Sequence, residues 1–211
     1  MAGKKRHSGL IFLLALTLIA VSLSCKYLPA FNPDQKKAQQ TTAVGFDLTH
    51  RMLDNPQGDG NAQRHLFIHN YPMPGEGLVT GTICLKDTDE TPESVRLLIL
   101  RPGPGGWEII HSLPLPADDH PKSQTGIDTF QFNPPLPVEK GDIFAHWHPD
   151  GDPSGPIPYN SDDVSRKGLT VGKFGFRLED VQRGKIIPNR GFTGQRDYFI
   201  NLIFQPAPQE K

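Results

Sequence analysis

Two histidines separated by one residue, His146 and His148, stand in the stretch Gly141-Asp-Ile-Phe-Ala-His-Trp-His-Pro-Asp-Gly-Asp-Pro-Ser-Gly155. Residues i and i+2 of a strand project from one face, so both imidazoles can reach one metal ion, with Asp150 or Asp152 supplying a carboxylate from the loop beyond. Imidazole with carboxylate suits Zn or Cu. The acidic pair Asp150 and Asp152 alone offers oxygens to Ca, which takes roughly six to eight of them, more than this loop supplies unaided. The same spacing also sets both histidines beside Phe144, where ordinary hydrogen bonds to the ring nitrogens would account for them without any metal.

Trp147 and Tyr159 bracket the same Pro- and Gly-rich loop. Aromatic rings beside carboxylates are how β-sandwich modules stack on sugars and bond their hydroxyls, which makes Tyr159, Trp147, Asp150 and Asp152 a candidate carbohydrate-binding set. Alternation argues differently for Trp147: it falls with Ile143 and Ala145, the pattern of a core-facing side chain. The sequence carries no G-x-S-x-G elbow, no phosphate-binding loop, no G-x-G-x-x-G and no H-E-x-x-H. Three functions stay open: a non-catalytic binding module for carbohydrate or another envelope or matrix component, a metal-dependent enzyme using His146 and His148, and a structural envelope protein.

The stretch from Gly141 to Asp152 resembles the cupin metal motif, which runs from a Gly through His-x-His to an acidic residue. The resemblance implies metal binding by His146, His148 and Asp152. The spacing from the Gly is one residue short, Asp152 stands in place of Glu, and no histidine follows His148 to build the second motif. These departures count against a cupin enzyme.

The elements that must position these residues read as strands. Leu78–Lys86 alternates, with Val79, Gly81, Ile83 and Leu85 on one face and Thr80, Thr82 and Cys84 on the other. Val95–Arg101 and Trp107–Leu113 flank Pro102-Gly103-Pro104-Gly105-Gly106, a hairpin with a five-residue loop. Further strands fall at Arg64–Asn70, Ile127–Phe132, Ile143–His148, Lys173–Leu178 and Arg196–Phe204, with Asn133-Pro134-Pro135 as a turn. Helical periodicity is confined to single turns near Asp162–Lys167 or Leu178–Arg183. Proline and glycine number 21 each, a density that interrupts helices and suits short strands joined by turns. Strands without intervening helices pair antiparallel and bury one face on a second sheet, so the expected fold is an all-β antiparallel sandwich of jelly-roll type over residues 43–206, with a short tail at 207–211.

Residues 1–24 have the order of a secretory signal peptide: basic Lys4, Lys5 and Arg6, an apolar run from Leu10 to Val21, and the small-residue end Ser22-Leu23-Ser24. The run is short for a membrane span, which needs about 20 residues. Ser24 and Cys25 resemble the lipobox of bacterial lipoproteins, although Ser22 stands where an aliphatic residue is usual. The resemblance implies cleavage before Cys25 and its lipidation, followed by a Pro-, Gln- and Lys-containing tether over residues 25–42 that holds the domain at a membrane of the bacterial envelope. Ordinary secretion is the alternative, and it leaves Cys25 free to bridge Cys84. Cleavage after Ser24 removes three positive charges and takes the formal net charge from −1 to −4. A mildly acidic chain without a basic stripe is a poor nucleic-acid binder, because phosphate neutralisation supplies most of that affinity.

Overall fold

Side chains of a strand alternate between faces, so a strand with every residue apolar must be covered on both. Leu97, Leu98, Ile99 and Leu100 are such a run and all four are buried. The computed structural model describes residues 40–48, 57–59, 63–85, 95–115, 126–149, 155–160, 172–194 and 196–208, which belong to one compact unit spanning Gln39–Lys211. The expected signal peptide, Cys25 and all but the end of the tether lie outside the described residues, as do Asp150 and Asp152.

Among the described residues fourteen strands form in chain order: β1 (Thr42–Gly45), β2 (Gln57–Asp59), β3 (His65–His69), β4 (Gly77–Leu85), β5 (Val95–Gly103), β6 (Gly106–Leu115), β7 (Ile127–Val138), β8 (Ile143–Trp147), β9 (Gly155–Asn160), β10 (Gly172–Arg177), β11 (Ile186–Pro188), β12 (Phe192–Gly194), β13 (Asp197–Tyr198) and β14 (Ile200–Pro206). A four-stranded sheet has the order β1-β14-β4-β7 and a seven-stranded sheet the order β11-β6-β5-β8-β3-β10-β12. A small sheet, β13-β9-β2, stands apart in pairing. Every pairing is antiparallel and no helix occurs among the described residues, as the sequence predicts.

The two large sheets share one core: Val79, Leu136, Leu202 and Phe204 of the smaller meet Phe67, Leu97, Ile99 and Phe144 of the larger. The other face of the larger sheet is apolar too. There Leu66, Ile68, Leu98, Leu100, Ala145 and Trp147 pack beneath Val181 and Ile187, with Leu178 at the margin. The covering segment is tied down by Leu178 N–H to Arg64 O (2.9 Å), Trp147 Nε1–H to Leu178 O (3.1 Å) and the paired oxygens of Glu179 on Arg64. No helix forms among the described residues where a turn was expected within Leu178–Arg183; these residues cover the sheet as irregular chain.

Four expectations about the strands need correction. Arg196–Phe204 is not one strand: it divides at Phe199 into β13 and β14, which belong to different sheets. The hairpin loop has two residues rather than five, because pairing continues through Pro102↔Trp107 and Gly103↔Gly106. The alternation in β4 is broken: Ile203 and Phe204 pair with Gly81 and Val79, so Thr80 is an extra residue and the faces exchange there. Val79 and Cys84, of opposite parity, therefore enter one core, while Ile83 and Leu85 pack with Phe46 and Phe199 on the other side. Finally, Asn133-Pro134-Pro135 does not end a strand. β7 runs on to Val138 because residues 132–135 form a bulge opposite Thr80, with Gln131 paired to Gly81 and Leu136 to Val79, so neither proline is owed a ladder bond.

Candidate functional site

Six polar side chains are buried among the described residues: His69, Thr82, Asp142, His146, His148 and Asn201. Half of them are histidines, and those three meet. His146 and His148 project from β8 and its end toward the main core, as the spacing predicts. The third, His69, comes from β3, a residue the sequence reading passed over.

The register explains the meeting. β3 and β8 are neighbours, with Phe67 opposite His146 and His69 opposite Phe144. Each imidazole thus faces a phenylalanine across the ladder and lies diagonal to the other, a distance that aromatic side chains span. His69 Nε2 stands 2.8 Å from His146 Nδ1. The His146 ring stacks against Phe67 (4.9 Å, 22°) and His69 (5.0 Å, 18°), and meets His148 and Tyr198 edge-on at 5.2 Å and 4.6 Å. Backbone bonding carries the register past the strand end, where His148 N–H donates to His65 O (3.3 Å).

The entry to β8 is rigidly held. Buried Asp142 accepts both Nε and Nη2 of Arg101 (2.9 and 3.0 Å) and the N–H of Glu139 (2.7 Å), while Met73 and the Gly141–Asp142 turn exchange backbone bonds. Gly141 turns there with φ 90°, a conformation that L side chains rarely adopt. This turn, the start of the motif singled out in the sequence, sets the strand that carries the histidines.

Enclosure dictates charge. Burial pushes the His69 imidazolium down to about 3, and burial first, then the neighbouring His69 and His148, holds His146 well below the ordinary histidine range. Both rings are neutral at neutral pH, the form that donates a lone pair to a ligand. Shared between His69 Nε2 and His146 Nδ1 is one hydrogen, whichever ring carries it. The remaining nitrogen of His146, Nε2, is buried and has no hydrogen-bond partner among the described residues. Nearby, the Tyr71 hydroxyl donates to Asp197 Oδ2 (2.8 Å), and burial with the Asp197 charge raises that phenol above its ordinary range.

The candidate carbohydrate contacts are placed differently. Trp147 packs in the cluster under Val181 with its indole N–H bonded to Leu178 O, so its ring has no open face. Tyr159 is half-buried, with the Arg196 guanidinium 5.0 Å above its ring and Tyr198 tilted against it at 5.5 Å. The two aromatics do not form a common stacking platform. Cys84 is buried in the main core, within an apolar strand as expected of a small hydrophobe.

Among the described residues no three His, Cys, Asp or Glu side chains converge as a ready-made metal cage. No protein-family model, curated protein or solved structure matches the chain. The arrangement itself therefore carries the functional reading.

Proposed function

We propose that this is an exported, lipid-held binding protein of the bacterial envelope, whose ligand is taken at the histidine end of the sandwich interior. Export and attachment rest on the order of residues 1–25 and on the pattern around Cys25. We further read the fold as a jelly roll. In support, β1, β3, β4, β5, β6, β7, β8 and β14 distribute as β1-β14-β4-β7 against β3-β8-β5-β6, the interleaving of that topology.

One observation carries the ligand: His146 Nε2, enclosed in the core without a hydrogen-bond partner among the described residues. Leaving a buried polar atom unsatisfied costs about 1–3 kcal/mol, which an incoming ligand that bonds it removes. The placement of Trp147 and Tyr159 shifts the expected contact from an exposed aromatic platform to this interior position.

The test has two arms. Radiolabelled palmitate should enter the wild-type chain and not a Cys25→Ala variant, which should appear in the medium or periplasm. Native mass spectrometry of the purified chain should show a bound species absent from His146→Phe. A bare mass in both, with no shift in melting temperature on adding metal ions or envelope extract, refutes ligand binding.

A further inference from the structure

The chemistry of the enclosed nitrogen narrows the ligand. Resting on the interior-binding reading above, we infer that the ligand is a transition metal ion of the zinc or copper class. In this inference Nε2 of His146 and the His148 ring bind it, and His69 acts as a positioning residue.

The His69–His146 contact comes in two forms. If His69 Nε2–H donates, His146 must carry its own hydrogen on Nε2, leaving a buried N–H with no acceptor among the described residues. If His146 Nδ1–H donates to the His69 lone pair, Nε2 presents a lone pair instead. The second form is how a metal-ligating imidazole is usually held: its far nitrogen donates to a neighbour that fixes tautomer and ring orientation. Both rings are enclosed, neutral and matched for this exchange.

The His148 ring stands at the right distance to join. Its centre lies 5.2 Å from that of His146, nearly perpendicular at 83°. Two imidazoles sharing a tetrahedral ion at roughly 2.0–2.1 Å per bond place their ring centres about 5 Å apart. Both ligands come from one strand face at i and i+2, so β8 presents them as a unit. Two protein nitrogens fill half of a tetrahedral shell, and since no third side chain joins them among the described residues, the remaining positions fall to water or an exogenous donor. Imidazole nitrogen selects zinc and copper over calcium or magnesium, which seek oxygen.

Metal loading of the purified full chain tests this. After incubation with Zn²⁺, Cu²⁺ or Ca²⁺ in separate samples and gel filtration, elemental mass spectrometry should find about one equivalent of zinc or copper and no calcium. In the copper sample, electron paramagnetic resonance should show splitting from two equivalent-type nitrogens. His146→Phe keeps an aromatic ring in the same nest and should fold, by circular dichroism, while retaining under a tenth of an equivalent. His69→Gln leaves an acceptor for the His146 Nδ1–H and should bind close to wild type, whereas His69→Leu should weaken binding at least tenfold; a purely structural role for His69 would not separate them. A folded wild-type chain that retains no zinc or copper, or a His146→Phe chain that retains a full equivalent, overturns the inference. If the metal-free chain instead carries an organic species lost in His146→Phe, the interior-binding reading stands and the metal assignment falls.

Discussion

Acid should unfold this domain sooner than its carboxylates alone would. In the unfolded chain His69 and His146 titrate near 6.5, whereas in the folded chain burial pushes His69 down to about 3 and holds His146 well below its ordinary value. Between those limits the unfolded state binds protons that the folded state refuses, so stability falls as pH drops below about 6.5. Each such group contributes about 1.4 kcal/mol per pH unit. For His69 alone, acidification from about pH 6.5 to about pH 4.5 should remove roughly 3 kcal/mol, a large part of a small domain's stability, and His146 shifts stability in the same direction. Urea unfolding of the chain in EDTA, followed by circular dichroism at several pH values, measures the slope. The comparison is a His69→Leu/His146→Phe double variant, which keeps every carboxylate and loses both imidazoles. Its curve should be flatter than wild type by at least about 1.4 kcal/mol per pH unit in that window, the share of one such group. Parallel curves for the two chains would mean that the imidazoles protonate freely in the folded state, and the enclosed neutral pair would be refuted.

Three other outcomes follow from the packing. Asp142→Ala removes the acceptor of two Arg101 bonds and one backbone bond; because Arg101 is partly exposed and can be re-solvated, the loss should be about 2–3 kcal/mol by urea titration. Gly106→Ala meets a backbone at φ 133° and would set a Cβ 2.0 Å from Ile187 O, so it should cost about 1–3 kcal/mol and raise amide exchange in β6 and β11, read by hydrogen–deuterium exchange. Cys84, 2% exposed in the core, should react with Ellman's reagent only after the chain is unfolded in denaturant.

Much of the fold was legible because alternation is a local property. Period-two runs and turn residues placed seven strands and the all-β class, and they put Trp147 with Ile143 and Ala145 on the face it occupies. The errors fall where a neighbour overrides the local pattern. Thr80 becomes a bulge only because β14 pairs on both sides of it, and Pro134 and Pro135 are tolerated within β7 only because the pairing with β4 skips residues 132–135. Leu97 to Leu100 announce a strand covered on both faces, but nothing in the run says that residues near Val181 supply the second cover.

The site divides along the same line. Spacing alone determined that His146 and His148 share a face, since i and i+2 of any strand do. That His69 joins them was decided by tertiary structure: its partner is 77 residues away, and their 2.8 Å contact exists only because β3 and β8 are neighbours in one register. The sequence did hold a trace of it, since His65, Phe67 and His69 alternate along their own strand. Charge state lies on the tertiary side as well. An imidazole is a titrating group in the chain and becomes an obligate neutral donor only when two sheets close over it and remove the water that would stabilise its proton.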